Sequence, residues 1–206
     1  MQELEYLANP CSASSLPFWK TERMRLPESV TVIRDDCFSG CRHDEVDEQY
    51  FKLMHDLKTI AEPAIPEGFG IDECGLDDYV QHINSCYLRE HITVEELQEY
   101  RSHPVYRQDL WIAVADSGKG GIVATGIAEL DARIGEGILE WIQVSPGYRH
   151  MGLGSYLVCE LLKRMREEAR FVTVSGRLES ESDPFRLYRS CGFKNPVIWH
   201  IVRKKS

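Results

Sequence analysis

Residues 140–155 read Glu140-Trp141-Ile142-Gln143-Val144-Ser145-Pro146-Gly147-Tyr148-Arg149-His150-Met151-Gly152-Leu153-Gly154-Ser155. An apolar run ends, the chain turns at Pro146-Gly147, and a leucine-rich helical pattern begins at two glycines. The chemistry on offer is anion binding. A helix N-terminus leaves backbone N–H groups without partners and carries partial positive charge. Gly152 and Gly154 let a phosphate approach that backbone closely, and Arg149 adds a fixed cation for its oxygens. Two nucleotide motifs do not fit. No Lys-Ser or Lys-Thr follows the glycines as a P-loop requires, and the dinucleotide string G-x-G-x-x-G is absent.

The elements that carry this loop follow from periodicity. A strand is expected over 138–144 and a helix over 152–169, with Leu153, Leu157, Leu161, Leu162 and Met165 on its apolar side. A strand over 171–178, a helix over 184–190 and a strand over 197–203 complete the unit. Upstream lie a strand over 69–74 and helices over 77–87 and 93–101. Thr93 and Glu96 form a capping box at the second helix. Strands over 110–115 and 122–130 flank the turn at 116–121 as a hairpin. Antiparallel strands followed by strand, loop, helix and strand predict a mixed α/β domain, the last two strands parallel and joined right-handedly.

Composition shifts at Pro63 and Pro66, dividing an N-terminal extension, 1–66, from a main domain, 67–206. The extension holds a short strand over 30–34. A helix is expected over 47–61, where Tyr50, Phe51, Met54, Leu57 and Ile60 recur at helical spacing and pack on the main domain. Three roles stay open for the extension: a lid over the site, an enlarged sheet, or a homodimer contact. The net charge of −9 argues against a nucleic-acid surface and suits a cationic amine. No apolar run approaches the ~20 residues of a membrane span, and no basic-then-apolar leader is visible. A cytoplasmic protein without membrane partners is expected. The seven cysteines read as reduced thiols. Cys37, Cys41 and His43 lack a second ligand pair nearby, so no metal is expected.

Arg149-His150-Met151-Gly152-Leu153-Gly154, preceded by Val144-Ser145-Pro146, resembles the acetyl-CoA motif [RQ]-x-x-G-x-[GA] of the GNAT superfamily of N-acetyltransferases. Leu187-Tyr188-Arg189-Ser190-Cys191-Gly192-Phe193 is similar to that family's L-Y-x-x-x-G-F string. The resemblance covers about residues 68–203. It implies a mostly antiparallel twisted sheet flanked by helices, with a central parallel pair splayed into a CoA cleft. It also implies transfer of acetyl from acetyl-CoA to a primary amine, on a small molecule or a peptide, by direct attack through a tetrahedral intermediate. By the same resemblance the backbone of Ile142, Gln143 and Val144 pairs with the pantetheine arm. The N–H groups of His150, Met151, Gly152, Leu153, Gly154 and Ser155 hold the pyrophosphate beside Arg149. Tyr188 matches the family's general acid, and a phenol of ordinary pKa about 10 can protonate a leaving thiolate.

Glu140 is the candidate general base, since alternation puts it on one face with Ile142 and Val144; a solvated, outward Glu140 is the other reading. Asp183 stands where many relatives carry a cofactor-contacting asparagine, and a carboxylate there cannot donate. His43, His55, His82, His91, His103 and His200 fall outside the motifs and read as structural or surface residues. The resemblance places the acceptor site on 76–101 and 111–130. Two alternatives to small-molecule acetyl transfer stay open: a non-catalytic acyl-CoA-binding module, and an acetyltransferase for protein N-termini or lysines.

Overall fold

The computed structural model describes residues 1–87, 90–180 and 182–205. Three short helices open the chain: α1 (Glu3–Ala8), α2 (Pro10–Ala13) and α3 (Phe18–Arg23). Strands β1 (Val30–Arg34), β2 (Glu45–His55) and β3 (Phe69–Asp72) follow, then helices α4 (Leu76–Cys86) and α5 (Val94–Tyr100). Next come β4 (Trp111–Asp116), β5 (Ile122–Asp131), β6 (Glu136–Val144), α6 (Leu153–Met165), β7 (Phe171–Arg177), α7 (Pro184–Ser190) and β8 (Lys194–Lys204). Thr93 caps α5, accepting from Glu96 N–H while Glu96 returns the bond. All eight strands lie in one sheet, in the order β1-β8-β2-β7-β6-β5-β4-β3. Every neighbouring pair is antiparallel except β6 and β7.

The stretch expected as a helix over 47–61 is instead occupied by β2 as far as His55. The physical reason is its place between β7 and β8, with the run Phe51–Leu53 buried on both faces of the sheet. Phe51 and Leu53 join the core under α6 and α7. Lys52 and Met54 turn to the opposite side, toward Tyr6 and Phe18. A strand buried on both faces shows no polar–apolar alternation, and its aromatic and aliphatic residues mimic a helical stripe. The residues before Pro66 therefore contribute two strands, with β8 lying between them, and so enlarge the sheet.

One face of the sheet carries α6 and α7, with Leu157, Leu161, Leu162 and Met165 packed on Ala128, Leu139, Val172 and Val174. At Gly137 an added Cβ would stand 2.6 Å from Met165 Sδ, so the missing side chain lets α6 lie against the strand. The other face carries two groups. Helices α4 and α5 cover Ala113 and Ile127 through Tyr79, Ile83 and Leu97. Beside them Tyr6, Phe18 and Trp19 cover Phe171 and Ile138.

A buried polar network fastens the first helices. Glu136 accepts from Tyr6 Oη at 2.5 Å, Thr173 Oγ1 at 2.6 Å and Phe18 N–H at 3.0 Å. Lys52 Nζ donates to Tyr6 Oη and to the carbonyls of Ser14 and Leu16. Burial pushes Lys52 down to about 8, against the pull of Glu136. Leaving one of these buried polar groups without its partner costs ~1–3 kcal/mol, so residues 14–18 are held firmly across the sheet.

Candidate active site

Strands β6 and β7 pair from Glu136↔Phe171 to Leu139↔Val174, and there the pairing ends. Both strands continue, β6 to Val144 and β7 to Arg177, so they fork. Beyond Leu139 the edge of β6 facing the fork has no strand partner, while its other edge stays paired with β5 as far as Val144. This edge leads directly into the glycine loop. His150 and Gly152 both adopt left-handed backbone, with φ of 64° and 86°. Alternation of that kind turns successive N–H groups toward one concavity. None of the backbone N–H groups from His150 to Ser155 has an acceptor among the described residues. Helix α6 begins at Leu153 and runs its dipole into the same place.

The loop is braced from several sides. His82 of α4 sets Nε2 3.0 Å from Ser145 Oγ and Nδ1 2.9 Å from Thr125 Oγ1. Burial lowers its pKa, so a neutral imidazole bridges helix and strand end. Arg149 Nε points to Val144 carbonyl oxygen at 3.4 Å. The glycines divide the work. Gly152 supplies the left-handed turn, whereas a Cβ on Gly154 would meet Leu187 Cδ2 at 3.2 Å, so that glycine serves the close packing of α6 on α7. Met151 is exposed and Leu153 buried, so each can offer the loop only its backbone N–H. The buried side chain of Gln143 donates to Thr125 Oγ1 beside His82, which leaves only its backbone for a ligand in the fork.

Glu140 departs from the simple alternation expected of it. The register of β5 on β6 shifts between Ile127↔Trp141 and Ala128↔Leu139, so Glu140 is the extra residue of a β-bulge. Ile142 still faces α6, where it lies against Gly126. Glu140 instead turns to the opposite face and accepts from Lys20 Nζ of α3 at 2.6 Å. Glu129 lies close by, accepting from Trp19 Nε1 at 3.0 Å and contacting His103 Nδ1 at 3.2 Å. Burial, with repulsion from Glu140, pushes Glu129 up to about 8. Burial opposes the charge on Lys20, but Glu140 and Glu129 outweigh it and hold the amine above the ordinary lysine range.

Lys20 and Glu140 line a cavity of about 210 Å³ at the fork, together with Ser15, Leu16, Pro17, Tyr50, Thr173, Ser175 and Trp199. A larger cavity, about 470 Å³, opens beside Ser145 between α4 and the β4–β5 hairpin, lined by Asp72, Glu73 and Asp78. That cavity falls on the segments the sequence pointed to for an acceptor. Of the two, only the smaller contains Glu140 and meets the unpaired edge.

Tyr188 sits on α7, its ring packed against Phe51 and Phe193. Burial, with Tyr87 nearby, holds its phenol well above the ordinary range. Tyr87 in turn stacks edge-on against Trp141, whose Nε1 donates to Tyr100 Oη at 3.2 Å. Asp183 is the N-cap of α7 and accepts from Arg186 N–H at 3.1 Å. Sequence reasoning gave Lys20 and Glu129 no place near Glu140; it read His82 as structural or surface and put Tyr50 on a helix where the chain forms β2. Cys37 and Cys41 are free and exposed, and among the described residues no group of three or more His, Cys, Asp or Glu could hold a metal ion. No helix among those residues is long and apolar enough to cross a membrane.

A single sheet forked at its parallel pair, with a glycine-opened helix at the fork, is a fold with known relatives. Residues 106–195 match the family model described as an acetyltransferase (GNAT) domain. Among solved structures, a GCN5-related N-acetyltransferase from Sphaerobacter thermophilus is 24% identical with a TM-score of 0.62, covering 79% of this chain and 53% of its own. A Drosophila protein is 17% identical with a TM-score of 0.60, over 78% of this chain and 52% of that one. A GCN5-related N-acetyltransferase from Kribbella flavida is 14% identical with a TM-score of 0.57, over 86% and 68%. The chain spans about half the length of the first two. No curated protein matches it. Residues 106–195 are thus similar to a GNAT acetyltransferase domain, and the chain has the fold of the GNAT structures.

Proposed function

We propose that this protein is an acetyl-CoA-dependent N-acetyltransferase acting on a small primary amine. The observation that carries the reading is the continuity of the unpaired β6 edge with the N–H groups of residues 150–155. A pyrophosphate needs several backbone donors and a helix N-terminus, and a pantetheine amide needs a free strand edge; both lie along one path here. Acetyl-CoA supplies the activated acyl group as a thioester. The residues of the chain do the rest. His150 to Ser155 bind through N–H groups, with Arg149 adding charge, and the backbone of Ile142 to Val144 orients. Tyr188, kept protonated by burial, is the proton donor to the leaving sulfur. Glu140 takes the proton of the incoming amine on the cavity side of the fork. Residues 15–17 and Lys20 wall that cavity, which favours a compact acceptor over a protein tail.

The test is release of free thiol from acetyl-CoA across a broad amine panel, with CoA binding measured in parallel by calorimetry. Amine-dependent release is expected. Tight CoA binding with no amine-dependent release would make the protein a binding module, and no CoA binding would remove the assignment.

A further inference from the structure

We infer that Lys20 is itself an acyl acceptor, so that the protein acetylates its own α3 in cis; this rests on the reading above. Lys20 Nζ is a primary amine 2.6 Å from Glu140, at the bulge where β6 leaves β7. Both side chains line the cavity at the fork, and each is only about one-seventh exposed, at 14% and 15%. An acyl group entering through the fork meets this amine before any diffusing one. The segment bearing it cannot drift, since Lys52 holds the carbonyls of Ser14 and Leu16, and Glu136 holds Phe18 N–H. Lys52 is no rival for the acyl group, because its amine already serves three acceptors and it does not line the cavity.

The step balances. The Lys20 ammonium passes one proton to Glu140, which releases it to solvent. The nitrogen lone pair forms the amide C–N bond, the C–S bond breaks with its electrons on sulfur, that sulfur takes a proton from Tyr188, and the second proton leaving nitrogen restores the phenol. The product is neutral, so the ion pair with Glu140 is lost once Lys20 is acylated.

The experiment incubates the full chain with acetyl-CoA and follows acetylation of each lysine by peptide mass spectrometry. Lys20 should gain one acetyl group ahead of the exposed Lys58 and Lys194, at a first-order rate unchanged on diluting the protein. Glu140→Gln should slow that labelling by about a hundredfold, the ordinary contribution of a general base. Lys20→Arg keeps the ion pair and the fold, and should lose the label at this position only. If CoA binds and added amines are acetylated while Lys20 stays unlabelled, self-acylation is wrong and the transferase reading stands. Labelling of Lys20 no faster than Lys58 and Lys194 also overturns it. Failure to bind CoA removes both.

Discussion

The two sides of the fork are built by different means. On the loop side, the groups are backbone N–H and C=O within residues 140–155, consecutive in sequence and fixed by dihedral angles. On the cavity side, the groups are side chains of residues 15–17, Lys20, Tyr50, Glu140, Thr173, Ser175 and Trp199, brought together by six separate elements or connections. The first kind of site survives most side-chain changes and fails at a few glycines. The second can be re-cut one residue at a time. With the acyl donor on the loop side, as proposed, the acceptor side can change while the donor side stays fixed.

Gly152→Asp should have the largest effect, lowering CoA affinity about a hundredfold through repulsion and a left-handed backbone that costs a side chain ~1–2 kcal/mol. Gly152→Ala feels only the backbone cost, because its Cβ meets nothing closer than Pro66 Cγ at 3.6 Å. Calorimetric titration of CoA separates the two, and wild-type affinity in the Asp variant would break the loop side of the comparison.

A middle-sized effect is expected on the cavity side and depends on pH. Glu129 is raised to about 8 from an ordinary glutamate value of about 4.3. Between those values the folded state binds the extra proton, so its contribution is full below the lower value and is lost as pH rises through the upper one. Urea midpoints should therefore fall across that window, and less steeply in Glu129→Gln. An unchanged slope would mean that Glu129 does not titrate as a buried acid.

The smallest effect sharpens the boundary between the sides. Asp183→Ala should cost about 1 kcal/mol of stability, the usual value of an N-cap, with CoA affinity unchanged. The reverse pattern would move Asp183 into the cofactor site.

The same difference explains what could be read in advance. The glycine loop, the Leu187–Phe193 string and the helices at 152–169 and 184–190 were legible because their chemistry and periodicity are local. Glu140 was found as a residue but placed on the wrong face, since no glycine marks its bulge and the shift exists only in the pairing with β5. Lys20 could not be found, because its meaning depends on α3 crossing the sheet to reach β6. The helical stripe at 47–61 misled because Phe51 to Leu53 are buried on both faces, and that cover comes from α6, α7 and the first helices rather than from their own sequence.

The interleaved strand order has a consequence for how the molecule is made. β2 has β7 on one side and β8 on the other, and β1 pairs with β8 alone. On a ribosome adding ~5–20 residues per second, β2 waits on the order of ten seconds before either neighbour exists. During that interval its backbone edges and the run Tyr50 to Met54 have nothing of their own chain to pair with. β8, the last of these strands to emerge, closes the sheet by inserting between two of the first, so wrong pairings stay open until β8 has been made.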